Sequence, residues 1–199
     1  NLLRQAAKKI NTQVIEKDGG AAFYGPKFDF NIKSAIGREF GASTNQLDFG
    51  SGKRFKLTYI DKDGVEKVIP YIIHRAPLGS EERFIGFLIE HYAGAFPTWL
   101  APIQIVILPI SDKHTDYAKK VESQLKSQNI RVELNDKSEP LNARVRDAEL
   151  QKVPYILVVG DREASSNSVS VRRRSSKEPT TQSLSEFTNT ITHAIITRN

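Results

Sequence analysis

Hydrophobic positions in the first half of the chain alternate with polar ones. The segments 28–32 (FDFNI) and 54–60 (RFKLTYI) both carry apolar residues at every second position. A period of two is typical of half-buried β-strands. The turn 61–64 (DKDG) follows the second segment, and 65–74 (VEKVIPYIIH) then reads as the returning strand of a hairpin. The first half is therefore predicted to contain an antiparallel sheet.

A longer period follows in residues 81–93 (EERFIGFLIEHYA). Phe84 and Leu88 lie four positions apart, and so do Ile85 and Ile89. This spacing predicts an amphipathic helix whose apolar side packs on the sheet.

The second half alternates apolar strands with helices. Its first segment, 103–110 (IQIVILPI), is almost continuously apolar, as expected of a strand covered on both faces. A capping box at Ser183 and Glu186 opens a C-terminal helix. The predicted order is β-α-β-α-β-β-α, with segments at 103–110, 112–128, 130–134, 141–151, 154–160, 168–174 and 183–195.

These patterns predict two domains, with a boundary near 96–104 (FPTWLAPIQ), where two prolines flank the single tryptophan. The first would be α+β with an antiparallel sheet, and the second a layered α/β domain. In the second domain 168–174 (SVSVRRR) is predicted as an edge strand. The segments 163–168 (EASSNS) and 175–183 (SSKEPTTQS) are predicted as polar loops.

Composition narrows the class of protein. Hydrophobic residues make up 39% and charged residues 26% of 199, which is globular rather than disordered. The absence of cysteine excludes disulfides and thiolate metal clusters. No apolar run approaches ~20 residues and no leader segment is evident, which fits a cytoplasmic protein. The net charge of +6 favours a polyanion partner, or it is a basic surface without one.

The chain begins with Asn1 and contains no methionine. Its first ten residues (NLLRQAAKKI) already have helical spacing. Both observations favour a piece of a longer protein.

The segment 71–92 places a histidine and an arginine around one strand-to-helix turn. His74 ends an apolar strand, so it is either a core residue or a metal ligand. Arg83 falls in the first turn of the next helix, which is an unfavourable place for a cation. It either binds an anionic ligand such as phosphate or pairs with a nearby glutamate.

Three further segments are candidates. The turn at Tyr24–Lys27 projects a phenol and an ammonium beside a strand, or is a structural turn only. Thr44 and Gln46 point the same way if 42–49 is a strand lining a pocket, whereas a loop is the alternative. The arginines of 168–174 suit RNA phosphates and unstacked bases, or they keep an exposed sheet edge from aggregating.

Together these segments resemble the threonyl-tRNA synthetase family of class II aminoacyl-tRNA synthetases. The segment GSEERFIG matches the third class II motif, and YGPK and HRA are more specific to the threonine enzymes. The resemblance extends along nearly the whole chain, through AFYGPKFDF, TNQLDF, IIHRAPLGSEERFIGFLIEHYAGAFPTWLAP, IRVEL, LQKVPYILVVGDRE and VSVRRR.

The resemblance implies that residues 1–100 are the C-terminal half of a class II catalytic domain. Residues 101–199 would be a three-layer α/β anticodon-binding domain with a mixed sheet. The family serves protein biosynthesis by activating L-threonine with ATP and magnesium and transferring it to tRNA(Thr). As a full-length protein it is expected to be a homodimer without a membrane segment.

Individual residues inherit roles from the resemblance. His74 matches one of three ligands of a catalytic zinc ion, and Arg83 matches the catalytic arginine that binds ATP. Further ATP positions are Thr44 and Ser80. The threonine-binding positions are Tyr24, Gln46 and Ala76. The positions that meet the tRNA anticodon are Ile110, Lys152, Glu163 and Arg172.

Several features depart from the family pattern. The first two class II motifs and the other two zinc ligands are absent from this sequence. The family's Trp-Gln-Cys-Gly run reads Phe40-Gly41-Ala42-Ser43, the usual Ile after HRA is Pro77, and an RNA-contacting Asn is Ser138. The isolated chain is therefore predicted not to aminoacylate. The alternative is a non-catalytic tRNA- or RNA-binding paralogue with a decayed synthetase half.

Overall fold

The computed structural model describes residues 2–11, 13–176 and 178–198. The chain divides into two compact units, one up to His91 and the other from Tyr92. Within the described ranges, no helix is both long enough and apolar enough to cross a membrane.

The described residues of the first unit form three helices and five strands. In chain order they are α1 (Leu2–Lys9), β1 (Lys27–Lys33), β2 (Glu39–Asp48), α2 (Ser51–Arg54), β3 (Thr58–Ile60), β4 (Glu66–Val68), β5 (Ile72–Ala76) and α3 (Glu81–His91). Strands β1, β2 and β5 form one antiparallel sheet in that order, and β3 pairs with β4 in a separate ribbon.

The predicted hairpin partner is split in the structure. Only β4 returns along β3, whereas β5 joins β2 in the other sheet. Pro70 lies between β4 and β5 and has no N–H to continue a ladder. The predicted strand 54–60 is also shorter, because Arg54 ends α2 and the strand begins at Thr58. Alternation located the strands but not their partners.

Helix α3 forms as predicted, although its apolar stripe is narrower. Phe84 and Leu88 are half-buried, but Ile85 and Ile89 are 53% and 49% exposed, so their predicted burial is wrong. Phe87 stacks on Phe40 of β2 at 5.2 Å between ring centroids. Contact with the sheet is therefore made by one side of the helix only.

The second unit has a five-stranded mixed sheet in the order β10-β9-β8-β6-β7. Its elements are β6 (Ile105–Pro109), a 3₁₀ turn (Asp112–His114), α4 (Thr115–Ser127), β7 (Val132–Leu134), α5 (Leu141–Leu150), β8 (Tyr155–Val159), α6 (Asp161–Ser166), β9 (Ser168–Arg173), β10 (Thr180–Ser183) and α7 (Leu184–Thr197). Strands β6, β7 and β8 are parallel, and β9 and β10 are antiparallel to their neighbours.

Helices cover both faces of this sheet, which confirms the three-layer prediction. On one face α4 and α7 contribute Val121, Leu125 and Phe187 to a core with Ile107 and Leu157. On the other face α5 packs against β6 and β8. The two faces of β6 are fully buried, as its unbroken apolar sequence requires.

Three predictions in this unit are wrong. The strand 168–174 is not an edge, because β10 pairs with it and forms the edge itself. The predicted loop 175–183 therefore contains a strand at its end, and the predicted loop 163–168 is largely helix α6. The capping box at Ser183 is confirmed, since Ser183 Oγ accepts a hydrogen bond from the Glu186 N–H at 3.2 Å.

A buried amide joins the segment before β6 to the segment before β7. Gln104 is fully buried; its Nε2 donates to Thr98 O at 2.9 Å, and its Oε1 accepts from Arg131 N at 2.9 Å. Gln104→Leu would leave both backbone groups without their partner. We expect a loss of about 1–3 kcal/mol in the free energy of unfolding.

Urea titration followed by the fluorescence of Trp99 measures this loss in the second unit. Gln124→Leu is the matched control, because Gln124 is exposed on α4. Equal stability of the two variants would contradict the structural role of Gln104.

Candidate functional site

One face of the β1–β2–β5 sheet is polar. Thr44 and Gln46 lie opposite Ala76 and His74 of β5, and residues paired across an antiparallel ladder project to the same face. On the β1 side, Lys27 lies opposite Gln46. The structure thus brings four predicted site residues onto one surface.

The turn before β1 adds Tyr24 to this face. Its backbone is fastened to β2, because Phe49 N donates to Tyr24 O at 3.1 Å and Leu47 N donates to Pro26 O at 3.0 Å. The approach requires a glycine at position 25, since a Cβ there would lie 1.9 Å from Leu47 O. The backbone therefore fixes where the phenol stands.

A chain of hydrogen bonds then links the predicted threonine and ATP positions. The hydroxyl of Tyr24 donates to Gln46 Oε1. Gln46 Nε2 donates to Thr44 Oγ1 at 3.4 Å, and Thr44 Oγ1 donates to Phe28 O at 3.1 Å. The ring of Tyr24 also lies 5.6 Å from the ring of His74. These side chains hold one another in a single orientation.

His74 is not a core residue. Its side chain is 46% exposed, and its Nε2 lies 2.9 Å from Oδ2 of Asp48, which is only 1% exposed. The other oxygen of Asp48 accepts from the N–H groups of Gly50 and Ser51 at 2.8 and 2.9 Å. Hydrogen bonds from Ser51 and His74 hold the pKa of Asp48 well below its usual range.

This carboxylate decides which imidazole nitrogen carries the proton. An ionised carboxylate can only accept, so Nε2 of His74 donates and Nδ1 keeps its lone pair. A histidine held in this way by a carboxylate is the usual arrangement of a zinc ligand. Zinc takes four ligands, yet the described residues include no group of three or more His, Cys, Asp or Glu suited to a metal. His74 fits as one ligand of a site that needs others.

Arg83 lies in the first turn of α3, which follows the end of β5 where Ala76 pairs with Thr44. The turn before α3 passes the β-bulge of β2, where a Cβ at Gly79 would lie 3.7 Å from Ala42 O. Ser80 Oγ accepts the Arg83 N–H at 3.4 Å, and the Arg83 guanidinium lies 5.4 Å from the ring centroid of Phe40.

The alternative pairing of Arg83 with a nearby glutamate is not found. Among the described residues, no carboxylate lies within ion-pair distance of its guanidinium. An aromatic ring holds the cation in place of an anion, so its N–H groups remain available.

In the second unit, Ile110 and Glu163 meet at the carboxyl ends of β6 and β8. Ile110 N donates to Val159 O at 2.9 Å, and Glu163 Oε2 accepts the Gly160 N–H at 3.0 Å. A Cβ at Gly160 would lie 2.6 Å from Ile110 Cδ1, so these residues are in close contact.

A cavity of about 250 Å³ opens beside Ile110. Its lining residues are Pro109, Ile110, Ser111, Asp112, Asp136, Lys137, Ser138, Glu139, Pro140 and Arg144. Arg144 is buried and donates to the carbonyls of Pro109, Asn135 and Glu139, which joins the ends of β6 and β7. Ser138, the departure noted in the sequence, faces this cavity.

Lys152 and Arg172 stand apart from Ile110 and Glu163. Arg172 pairs with Ile156 near the start of β8, with its guanidinium 3.8 Å from the carboxylate of Glu149. Lys152 precedes β8, and its ammonium donates to Ala93 O. The four predicted anticodon residues therefore lie towards opposite ends of β8, about 13 Å apart along the strand.

Sequence reasoning missed Asp48 and Arg144. Asp48 continues the alternation of Thr44 and Gln46, which is the signal that could have found it. Arg144 gave no such signal, because its three carbonyl partners come from segments distant in sequence.

Comparisons with known proteins agree with this architecture. Residues 3–92 match the family model "tRNA synthetase class II core domain (G, H, P, S and T)", and residues 104–193 match "Anticodon binding domain". The chain is 50% identical over 195 residues to the threonine–tRNA ligase of Sulfurihydrogenibium sp. YO3AOP1, covering 98% of this chain. The chain belongs to the threonyl-tRNA synthetase family.

Other relatives give the same result. A threonine–tRNA ligase of Thermus thermophilus is 51% identical over 185 residues, which is 93% of this chain and 28% of the relative. The Sulfurihydrogenibium relative is covered to 30%, so the chain spans somewhat less than a third of these proteins and matches their C-terminal part.

Solved structures share the fold. The RNA binding domain of threonyl-tRNA synthetase from Cryptosporidium parvum Iowa II has a TM-score of 0.84 and 35% identity, covering 96% of this chain and 48% of that one. The prolyl-tRNA synthetase of the same species, with a TM-score of 0.66 and 20% identity over 92% of this chain and 44% of that one, is similar in fold alone.

The Asp48 contact predicts the tautomer of His74. We expect the proton on Nε2 in the unaltered chain and a mixture of tautomers in Asp48→Ala, where the acceptor is lost. Long-range ¹H–¹⁵N correlation spectra of the neutral ring report both nitrogens. Asp63→Ala, in an exposed turn, is the control, and a proton on Nδ1 in the unaltered chain would contradict the assignment.

Proposed function

We propose that this chain is the C-terminal part of a threonine–tRNA ligase. Its first unit supplies one wall of the site that activates threonine with ATP, and its second unit recognises the anticodon of tRNA(Thr). The observation that carries the proposal is the polar sheet face on which Tyr24, Gln46 and Thr44 are joined by hydrogen bonds. His74, bonded to Asp48, lies beside the Tyr24 ring on the same face. The identity of about 50% to threonine–tRNA ligases supports it.

On this wall Arg83 would bind the triphosphate of ATP. Adenylate formation develops charge on a phosphoryl group, which a guanidinium stabilises. With no ion pair to a described carboxylate, Arg83 can turn its N–H groups to phosphate. Ser80, beside it, and Thr44, at the same end of the sheet face, would contact the nucleotide, whose magnesium ion is bound by the phosphates.

The other end of the face would bind threonine. Tyr24 and Gln46 present polar atoms to the substrate, and the small side chain of Ala76 leaves room beside them. A bound zinc ion would supply ligation of the amino and hydroxyl groups of threonine and so discriminate against valine, which an apolar pocket alone rejects poorly. His74 would give its Nδ1 lone pair as one of the protein ligands.

The second unit would read the anticodon from two places. Ile110 and Glu163 would meet bases at the carboxyl ends of β6 and β8, while Lys152 and Arg172 would act nearer the start of β8. We assign residues 1–100 to the catalytic half-domain and 101–199 to anticodon binding, within a cytoplasmic homodimeric parent.

The isolated chain is predicted to lack threonine-dependent ATP–pyrophosphate exchange, because it holds one wall of the site. Exchange assays on the purified chain measure this directly, with an intact threonine–tRNA ligase as the positive control. Clear turnover by the isolated chain would contradict the prediction.

A chimaera separates the proposed function from a non-catalytic RNA-binding role, which the glycine at position 41 favours. This chain would replace the corresponding C-terminal part of the Thermus thermophilus ligase. If the polar sheet face of this chain is functional, the chimaera charges tRNA(Thr). His74→Ala should then abolish the charging. A chimaera that binds tRNA(Thr) without charging it would favour the alternative.

Arg172→Ala is expected to weaken binding of tRNA(Thr) about tenfold or more and to leave an unrelated tRNA much less affected, since base contacts specify and phosphate contacts do not. Filter binding or fluorescence anisotropy measures both affinities. Arg173→Ala is the matched control, an exposed arginine of the same strand on its opposite face. An equal loss for both tRNAs would reduce Arg172 to a phosphate contact.

A further inference from the structure

His114 is a buried histidine that the proposed function does not use. It ends the 3₁₀ turn before α4 and is only 7% exposed. Its Nδ1 lies 3.2 Å from the Ser111 backbone nitrogen and 3.1 Å from Ser111 Oγ, and its Nε2 lies 3.1 Å from Oδ1 of Asp161. A backbone N–H can only donate, so Nδ1 of His114 accepts this hydrogen bond. The proton of the neutral ring is therefore on Nε2, which donates a hydrogen bond to Asp161.

Tyr117 makes a second link, one turn further along α4. Its hydroxyl donates to Ser168 O at 2.8 Å. Burial, with a smaller contribution from the Glu163 carboxylate, raises the pKa of the Tyr117 phenol. Asp161 begins α6 and Ser168 follows its end, so His114 and Tyr117 hold α6 at both ends.

Helix α6 depends on such links for its position. It has six residues and none of them is buried. Isolated helices shorter than about 12–15 residues are marginal in water. Its location is therefore set by the strands on either side and by the two bonds from His114 in the 3₁₀ turn and Tyr117 in α4.

The position of α6 determines that of the proposed anticodon residues at this edge. Glu163 lies in the first turn of α6 and caps the Gly160 N–H, where Ile110 also packs. Ile110 and Ser111 are neighbours in the chain, and Ser111 is bonded to His114. One buried imidazole thus connects the segment of Ile110 with the segment of Glu163.

We propose that His114 and Tyr117 are positioning residues for anticodon recognition, because they clamp α6 and so hold Glu163 against Ile110 at the edge that meets the bases. This inference rests on the proposed function of the second unit. Neither side chain needs to touch RNA.

The test compares affinities of the whole chain for the tRNA(Thr) anticodon stem-loop and for the same stem-loop with an altered anticodon. His114→Leu removes the bonds to Ser111 and Asp161, Asp161→Ala removes only the bond to His114, and Tyr117→Phe removes the bond to Ser168. We expect the ratio of the two dissociation constants to fall about five- to tenfold, with little change in binding of the altered stem-loop. Asp161 is 97% exposed in its side chain, so its variant leaves the core intact.

His114→Gln is the rescue variant. The amide oxygen can accept from Ser111 and the amide nitrogen can donate to Asp161, so we expect the ratio to stay near that of the unaltered chain. His193→Leu and Tyr155→Phe are matched controls for the loss of a ring nitrogen and of a phenol elsewhere in the unit.

Amide spectra give a second readout. In His114→Leu the resonances of Ile110, Ser111 and Glu163 should shift or broaden, and in His114→Gln they should not. If the unaltered chain discriminates between the stem-loops and the three clamp variants discriminate equally well, the inference is wrong and the proposed function stands. If the unaltered chain does not discriminate, the proposed anticodon recognition and the positioning role both fail.

Discussion

The candidate catalytic wall depends on how β2 pairs with β5. Gln46 lies opposite His74, and the buried Asp48 is the next residue along β2 with the same orientation. A slip of one residue in this pairing would turn the polar side chains to the other face. Asp48 opposes such a slip, because its carboxylate is held by the N–H groups of Gly50 and Ser51 and then bonds to His74. One carboxylate therefore links strand register to site geometry.

In the second unit, several buried polar side chains fix the positions of the loops. Gln104, Arg144 and His114 are buried, and each one bonds to backbone or to residues from another segment. All three bond to backbone groups at or near the ends of strands, where loops leave the sheet and backbone groups lack ladder partners. The apolar core fixes the layers, and these polar groups fix the loops that carry the proposed anticodon residues.

Sequence patterns predicted what local physics determines. The apolar runs of β6 and β8, the stripe of α4 and the capping box of α7 all follow from spacing within one segment. Strand partners do not follow from such spacing. Alternation in 54–60 and 65–74 is compatible with one hairpin, but the ladder of β3 and β4 ends before Pro70, and β5 pairs with β2 instead. Strand β10 was missed because its residues, Thr180–Ser183, are polar and gain their partner only from β9.

The same limit applies to the candidate sites. The common orientation of Thr44 and Gln46 could be predicted from their spacing, whereas the burial of Asp48 depends on donors supplied by the following turn. The family resemblance named the proposed anticodon positions, and the structure places them towards opposite ends of β8.

The contact of Arg83 with Phe40 has a consequence for the energetics of the proposed nucleotide binding. A guanidinium interacts with a ring through its planar face and with phosphate oxygens through its edge. Restraint by the ring therefore uses none of its five N–H donors, whereas a carboxylate partner would use two. An incoming anion meets a side chain that is already restrained by the ring and that has no ion pair to break with any described carboxylate. Ordering a long cationic side chain costs up to about 2 kcal/mol in conformational entropy. Part of this cost is incurred when the chain folds, so it does not reduce the affinity for the anion.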